Sequence, residues 1–188
     1  MFYLALKRMF DIIFSLIALS VFSPILLISA IIIFLQDGHN FIFAQNRIGQ
    51  NGKVFKFYKL RSMKIETPNV ESVSESQVKI TKFGKIIRRI NLVEFPQFYN
   101  VLIGDMSVIG PRPPIESQKN LLKLRLQNKS ISLKPGLTGW AQVNSYDGMS
   151  DEKKAYFDGE YFKKMGFRMD TIIFFKTLIY FTKPPPSY

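Results

Sequence analysis

The chain has 188 residues, of which 47% are hydrophobic and 14% aromatic, and its formal net charge is +12 at pH 7. This length fits one domain with a modest core. The absence of cysteine excludes disulfide scaffolds, thiolate zinc sites and cysteine nucleophiles, and the single histidine excludes a site with several histidine ligands. Any metal ion would therefore be a hard cation with oxygen ligands, such as Mg²⁺.

The positive charge makes nucleic acid, anionic lipid and phosphorylated substrates the candidate partners. Nucleic acid is the weakest of the three, because the basic residues cluster around a hydrophobic N-terminal run and no nucleic-acid-binding motif is present. We therefore expect phosphate groups on lipids or small substrates as partners, and no nucleic acid.

Residues 2–36 form a nearly continuous apolar run, long enough as a straight helix to cross a bilayer core of roughly 30 Å. Ser23-Pro24 interrupts the run, because proline removes a helical hydrogen bond, and the Ser20 and Ser23 hydroxyls are expected to satisfy freed backbone groups. Two forms are open: one kinked membrane span, or a helix-break-helix hairpin that enters and leaves by the same face.

The charges on both sides of the run favour the hairpin. Lys7 and Arg8 lie near its start and Arg47 and Lys53 follow it, so a full span would place one basic flank outside, against the positive-inside bias. The sequence thus favours a re-entrant membrane hairpin over residues 1–36, with the kinked span as the alternative, followed by a cytoplasmic, membrane-surface domain over residues 37–188.

A β-hairpin is predicted next. Phe41 to Gln45 reads as a short strand, residues 46–53 have turn chemistry, and Val54 to Leu60 alternates like a strand with one basic face. Lys59 and Arg61 are expected to contact phosphate or lipid head groups, the alternative being a solvated strand face. Residues 63–79 are predicted to form an acidic surface loop with no catalytic role.

The charged chemistry is concentrated between Lys85 and Pro114. Thr81 is predicted to cap a helix that runs through Ile90 and carries Arg88. Pro96 suits the first turn of a second helix that ends at Gly104, with Glu94 just before it. Arg112 lies between prolines that fix the backbone, so its guanidinium could bind a phosphate at small entropic cost; a plain rigid turn is the alternative.

The last third is predicted to be mainly helical. We expect a basic helix over residues 115–131, a turn leading into a short strand over residues 134–144, and helices over residues 151–164 and 170–182. Trp140 is expected either at the membrane interface or in the core. The predicted fold is α+β: a re-entrant membrane helix-break-helix, a small hairpin and several amphipathic interfacial helices in one domain.

Several motifs in fixed order resemble one family. They are Gln45-Asn46-Arg47-Ile48-Gly49, Lys59-Leu60-Arg61-Ser62-Met63, Leu92-x-Glu94-x-Pro96-Gln97, Asn100-Val101-Leu102-x-Gly104-Asp105-Met106-Ser107, Gly110-Pro111-Arg112-Pro113 and Lys134-Pro135-Gly136-x-Thr138-Gly139-Trp140-x-Gln142-Val143-Asn144. Together with the Ser-Pro-broken hydrophobic run, they resemble the small monotopic phosphoglycosyl transferases of the bacterial sugar transferase family over nearly the whole chain.

The resemblance implies a membrane-bound enzyme that transfers sugar-1-phosphate from a UDP-sugar to undecaprenyl phosphate and releases UMP, with Mg²⁺ as cofactor. Such enzymes act at the cytoplasmic face of the bacterial inner membrane, where their products prime glycoprotein or exopolysaccharide assembly. Their N-terminal segment is a re-entrant helix broken at Ser-Pro, which agrees with the charge argument. The family's catalytic pair is Asp-Glu: the Asp attacks the phosphate nearest the sugar, and the Glu helps to bind Mg²⁺.

This chain departs from the family at the attacking residue, where it has Val93, which has no atom that could attack phosphorus. Three interpretations are open: an inactivated variant that still binds substrates, which we favour; a substitute carboxylate, Glu94; or direct attack by the lipid phosphate. A second departure is Ser145-Tyr146, where many relatives have Gly-Arg. The predicted site comprises Glu94 and Arg88 as catalytic residues, Glu94 as metal ligand, and a substrate-binding set of Lys59, Arg61, Arg112, Gln142 and Asp158.

Overall fold

The computed structural model describes residues 2–37, 40–64, 80–144 and 148–181, and within them it has the α+β architecture that the sequence predicts. The helices are α1 (Phe2–Asp37), α2 (Lys82–Arg89), α3 (Gln97–Ile103), α4 (Lys119–Gln127), α5 (Trp140–Asn144), α6 (Asp151–Lys164) and α7 (Phe167–Phe181). The strands are β1 (Ile42–Ile48), β2 (Val54–Leu60), β3 (Ser107–Ile109) and β4 (Gly136–Thr138). Most of the predicted acidic loop, the second departure at Ser145-Tyr146 and the C-terminal prolines lie outside the described residues.

Helix α1 continues through Pro24, although proline removes one helical N–H donor. The carbonyl that loses this donor belongs to Ser20, four residues earlier, and the Ser23 hydroxyl donates to its oxygen at 2.8 Å. The sequence predicts that a serine hydroxyl satisfies a backbone group freed by the proline, and this is confirmed for Ser23. Among the described helices, α1 is the one with the length and apolar composition needed to cross a membrane.

One face of α1 packs against the rest of the protein along most of its length. Near its start, Lys7 Nζ pairs with Asp170 Oδ2 of α7 at 2.7 Å. Near its end, Ile33 is buried in a core cluster with Leu60 and Ile87. Large apolar side chains such as Leu16, Ile17, Val21, Ile28 and Phe34 are exposed on other faces of the helix. Both ends of α1 are therefore attached to one folded body, while an apolar surface remains uncovered.

Strands β1 and β2 form the predicted antiparallel hairpin, in which Ile42 lies opposite Leu60. Strand β1 continues to Ile48, beyond the predicted end at Gln45, because its pairing with β2 extends to Val54. The register places Gln45 and Arg47 on the same side of the hairpin as Phe57 and Lys59. This side carries the cations that contribute to the site described below.

Strands β3 and β4 pair in parallel, and their close approach requires glycine. A Cβ atom on Gly136 would lie 2.1 Å from the backbone nitrogen of Gly110. The predicted strand at the end of residues 134–144 is wrong: β4 comes earlier, and Trp140–Asn144 is helical, with a bond from Val143 N to Gly139 O at 3.1 Å. The Pro-Gly-x-Thr-Gly motif thus forms a strand and a turn that lead into a helix.

Other boundaries follow the local chemistry. Helix α2 begins at the Thr81 cap, whose hydroxyl accepts from Gly84 N at 2.9 Å, as predicted. Helix α3 ends at Gly104, which has φ 96° and so adopts the left-handed conformation that glycine favours. Helix α4 is shorter than predicted and ends before Lys129, whose φ of 65° is incompatible with a continuing helix.

Two hydrophobic clusters form the core. The larger cluster is built on β3, α3, α6 and α7, and Trp140 packs against it, which favours the core alternative for this residue. The smaller cluster contains Ile33, Leu60, Ile87, Leu92 and Val93, with Phe22 and Phe95 packed against it. The rings of Phe22 and Phe95 are 4.4 Å apart between centroids, so α1 touches the segment that carries Glu94.

Candidate active site

Glu94 lies in a single 3-10 turn, Leu92–Glu94, between α2 and α3. The turn begins after Asn91, whose φ of 56° is in the left-handed region that asparagine tolerates. Leu92 and Val93 are buried in the smaller core cluster, while the Glu94 carboxylate is 35% exposed. The turn therefore directs two apolar side chains inward and one carboxylate outward, just before α3 as the sequence predicts.

Two basic side chains of the hairpin lie close to one aromatic ring. Lys59 Nζ is 5.1 Å and the Arg47 guanidinium carbon 5.4 Å from the centroid of the Phe57 ring. Both distances fall within the range of cation–π attraction. The buried Phe57 ring thus holds two positive charges beside the turn that carries Glu94.

Arg112 completes the charged centre from the proline-rich segment. Its Nη2 donates to Glu94 Oε1 at 3.3 Å. Loss of surrounding water would raise the pKa of the Glu94 carboxyl, but the charges of Arg112, Lys59 and Arg47 and the bond from Arg112 outweigh this effect and lower the pKa overall. Glu94 is consequently an ionised carboxylate near neutral pH.

The positive charges also act on one another. Loss of water around Lys59, with repulsion from Arg112, Arg47 and Arg88, lowers the pKa of the Lys59 ammonium to about 8, although Glu94 opposes the shift. We call Arg47, Lys59, Arg88 and Arg112 the cationic cluster: Arg112, Lys59 and Arg47 act on the Glu94 carboxylate, and Arg88 acts on Lys59. Such an excess of positive charge favours a ligand with more than one negative charge.

Four of the predicted site residues therefore come together: Lys59, Arg88, Glu94 and Arg112. Arg88 reaches the cluster from α2, and its Nε donates to the buried Ser62 hydroxyl at 2.9 Å. Arg61 follows β2 at the open end of the hairpin, where its Nε donates to the Asn40 carbonyl at 2.9 Å and its guanidinium carbon lies 6.0 Å from the centroid of the Phe43 ring.

The remaining two predicted substrate-binding residues make contacts within the fold. Gln142 Nε2 donates to the Leu137 carbonyl at 3.0 Å and steadies the turn between β4 and α5. The Asp158 carboxylate is buried in an ion pair with Arg125 at 2.7 Å. Neither contact is with the cationic cluster.

Arg47 belongs to the cationic cluster although it is not among the site residues that the sequence predicts. The signal that could have found it is the alternation of the hairpin, because Arg47 opposes Phe55 and so shares a face with Phe57 and Lys59. Gln97, three residues after Glu94, is 1% exposed, and its Nε2 has no hydrogen-bond partner among the described residues.

Val93 directly precedes Glu94 in the turn. It is 8% exposed and packs with Leu60 and Ile87. Because valine and aspartate have similar volumes, the turn can keep its shape with either residue. The side chain at this position supplies packing and no oxygen atom.

The residues at the centre are compatible with one hard divalent cation, provided that a substrate supplies most of the ligands. Within the described ranges, no group of three or more acidic, histidine or cysteine side chains is placed to hold a metal ion. Mg²⁺ commonly binds through one or two carboxylates together with substrate phosphates and water. Glu94 is a ligand of that type, and its neighbouring cations would attract the phosphates.

Comparisons with known proteins identify the family of the chain. A family model described as Bacterial sugar transferase matches residues 2–184. The chain is 35% identical over 185 residues to a UDP-N-acetylgalactosamine-undecaprenyl-phosphate N-acetylgalactosaminephosphotransferase of Aeromonas hydrophila, and 36% identical over 182 residues to a UDP-glucose:undecaprenyl-phosphate glucose-1-phosphate transferase of Escherichia coli. The matches cover 94% and 92% of this chain but 43% and 39% of those relatives, so the chain spans about two-fifths of their length.

A shorter relative is matched over most of its own length. The uncharacterized sugar transferase EpsL of Bacillus subtilis is 37% identical over 165 residues, which cover 88% of this chain and 81% of that protein. The family match thus includes the apolar helix, the hairpin, the turn with Glu94 and the proline-rich segment. We conclude that the chain belongs to the bacterial sugar transferase family.

Proposed function

We propose that this chain is a membrane-bound phosphoglycosyl transferase scaffold that binds a UDP-sugar and undecaprenyl phosphate, and that its transfer of sugar-1-phosphate is impaired by Val93. The observation that carries the proposal is the cationic cluster around Glu94. A diphosphate and a lipid phosphate are ligands whose charges this cluster can neutralise. The names of the relatives from Aeromonas and Escherichia refer to such substrates.

The impairment follows from the chemistry of the side chain at position 93. In the reaction that the family resemblance implies, a carboxylate oxygen bonds to the phosphorus nearest the sugar, and the bond to the UMP oxygen breaks. Val93 offers no lone pair for the first of these events. Binding and charge stabilisation remain, so we expect substrate complexes without efficient turnover.

We further propose Mg²⁺ as the cofactor, held by Glu94 and by phosphate oxygens of the substrate. Bound there, Mg²⁺ would neutralise charge on the diphosphate. Arg112 and Lys59 would orient the phosphates from the other side, and Arg88 would add positive charge. Glu94 then has two partners, the Arg112 guanidinium in the free protein and the metal in the complex.

The proposal is tested with UDP-glucose and UDP-N-acetylgalactosamine, undecaprenyl phosphate and Mg²⁺. We expect either nucleotide sugar to bind the purified chain, measured by calorimetry, while UMP release stays at the rate of a protein-free control. Binding without turnover equally fits a non-catalytic protein that sequesters a sugar nucleotide or scaffolds glycan enzymes, which is the alternative function. A chain that binds neither nucleotide sugar would refute the proposed function and the sequestering alternative, and rapid UMP release would refute the impairment.

Binding should weaken at alkaline pH because the pKa of Lys59 is lowered to about 8 in the free protein. Below this pH the ammonium is charged and attracts phosphate; above it the charge is lost, so affinity for UDP-glucose should fall as pH rises from about 7 to about 9.5. Lys59→Arg is the control, because arginine stays charged throughout and should flatten the pH profile. An unchanged profile in Lys59→Arg would assign the pH dependence to another group.

We also propose that α1 is re-entrant, so that the protein is monotopic on the cytoplasmic face of the inner membrane. A straight helix of 36 residues would extend for roughly 54 Å. The support for a re-entrant course is that Lys7 and Ile33, near opposite ends of α1, both contact the same folded body. The exposed apolar side chains between them would face lipid, and Pro24 is where the helix could bend.

Single cysteines can test this topology, because the chain has none of its own. We expect Phe2→Cys and Asn40→Cys to resist a membrane-impermeant maleimide in intact spheroplasts and to react after permeabilisation. Both residues are exposed in the structure, so protection would come from the membrane. Labelling of one of the two from outside would show that α1 crosses the bilayer.

A further inference from the structure

The backbone that carries Arg112 is held by hydrogen bonds from elsewhere in the fold. Three of the four residues of the segment Pro111–Pro114 are prolines, which have no N–H donor. Each of its four carbonyls nevertheless accepts a bond. The donors are Gly136 N to Pro111 O at 2.9 Å, Arg125 Nη1 to Arg112 O at 3.0 Å, Arg47 Nη1 to Pro113 O at 3.2 Å and Ile48 N to Pro114 O at 2.9 Å.

The donor to Arg112 is itself part of a buried ion pair. Arg125 on α4 is 4% exposed and Asp158 on α6 is 1% exposed. The Nε and Nη2 atoms of Arg125 lie 2.8 Å and 2.7 Å from Asp158 Oδ2. Because a guanidinium is a rigid planar fork, these two contacts leave Nη1 directed at the Arg112 carbonyl.

Stability alone does not explain such a pair. Two charges lose their hydration on burial, and replacing a buried ion pair by apolar residues is often neutral or stabilising. The pair does have a geometric effect, because it joins α4 and α6 to the backbone of the residue whose side chain contacts Glu94. The ion pair is thus connected through the Arg112 backbone to the cationic cluster around Glu94.

We propose that Arg125 and Asp158 are positioning residues that hold the Arg112 backbone so that its guanidinium faces the anion bound by the cationic cluster. Asp158 thereby acts through Arg125 and Arg112, in place of the direct substrate contact expected from the sequence. The identity of the anion rests on the proposed function, whereas the positioning of Arg112 does not.

The test uses the full chain in detergent micelles and the variant Arg125→Lys. A lysine ammonium can still pair with Asp158, but its compact charge on a flexible stem does not reproduce the fork that reaches Arg112. The first readout is the heteronuclear NOE of the Arg112 Nε–Hε group, assigned by its loss in Arg112→Lys. The second is the dissociation constant for UDP-glucose.

The matched control is Asp170→Asn, which breaks the ion pair between Asp170 and Lys7. The side chains of Lys7 and Asp170 are 12% and 14% exposed, so this pair is also largely buried. We expect the control to lower the melting temperature while leaving the Arg112 NOE and the affinity unchanged. In Arg125→Lys we expect the Arg112 group to become mobile and the dissociation constant to rise by about tenfold or more. Adding Arg125→Lys to Arg112→Lys should weaken binding no further.

A rigid Arg112 group in Arg125→Lys would overturn the inference. So would equal mobility in Asp170→Asn, because Arg112 would then be responding to general destabilisation. If the unaltered chain binds no UDP-glucose, the proposed function fails on that sugar, and the NOE comparison still decides whether Arg125 positions Arg112.

Discussion

Val93→Asp should convert an almost inert chain into an active transferase, with UMP release from a suitable UDP-sugar rising by on the order of a thousandfold or more. The substitution supplies the missing attacking oxygen in a turn that already carries Glu94. The positive charges of Arg112 and Lys59 lower the pKa of the adjacent Glu94 carboxyl, so the same charges lie close to the new carboxylate. Release of UMP and trapping of a sugar-phosphate adduct on the protein are the measurements.

The matched control is Val93→Asn, which has nearly the same shape as the aspartate variant but cannot act as the nucleophile. Both variants replace a side chain that is 8% exposed and packs with Leu60 and Ile87. We therefore expect both to lose about 1–3 kcal/mol of stability, the usual cost of burying a polar group in such surroundings. Activity in both variants would place the chemistry on Glu94 or on the lipid phosphate, and activity in neither would argue against a catalytic scaffold.

The elements that sequence analysis predicted well are those with strong local signals. The Thr81 cap, the Pro96 start and Gly104 end around α3, and the β1–β2 hairpin each depend on residues close together in sequence. The same holds for the placement of Glu94 just before α3. Short-range backbone chemistry was sufficient in each case.

Long-range contacts decided what could not be predicted. Asp158 lies on a polar helix, and nothing in its surrounding residues indicates that it pairs with Arg125, which precedes it by 33 positions. Arg47 enters the cationic cluster through the register of the hairpin rather than through its own motif. The residues Trp140–Asn144 alternate in a way that also suits a strand, but their packing against α6 and α7 favours a helix.

The sequence predicts a boundary between a membrane hairpin (residues 1–36) and the rest of the chain, and this boundary matches a change in composition. In the structure, however, side chains of α1 form hydrogen bonds with the residues that follow it. Asp11 is 2% exposed, and its Oδ1 accepts bonds from Ser107 Oγ at 3.0 Å and Val108 N at 2.9 Å. Arg8 donates to the Val101 and Leu102 carbonyls at the end of α3. A helix that supplies these partners helps to hold the folded body as well as providing an apolar surface.

Asp11→Ala should therefore destabilise the whole protein. Two buried donors would be left without an acceptor, at about 1–3 kcal/mol each, and the melting temperature in detergent should fall by roughly 4–24 °C. Asp11→Asn keeps a carbonyl oxygen for Val108 N and should lose less. Glu116→Ala removes one negative charge from an exposed side chain and should change stability by less than about 0.5 kcal/mol.

The same reasoning predicts the outcome of removing α1 altogether. A chain that begins at residue 37 would leave Ser107, Val108 and the carbonyls at the end of α3 without their partners, and would uncover the face of the smaller core cluster that Ile33 covers. We expect it to aggregate or to be digested rapidly by a protease at concentrations that leave the full chain intact. A soluble, cooperatively melting product would instead mean that α1 contributes only membrane attachment, and the effect of Asp11→Ala should then be small as well.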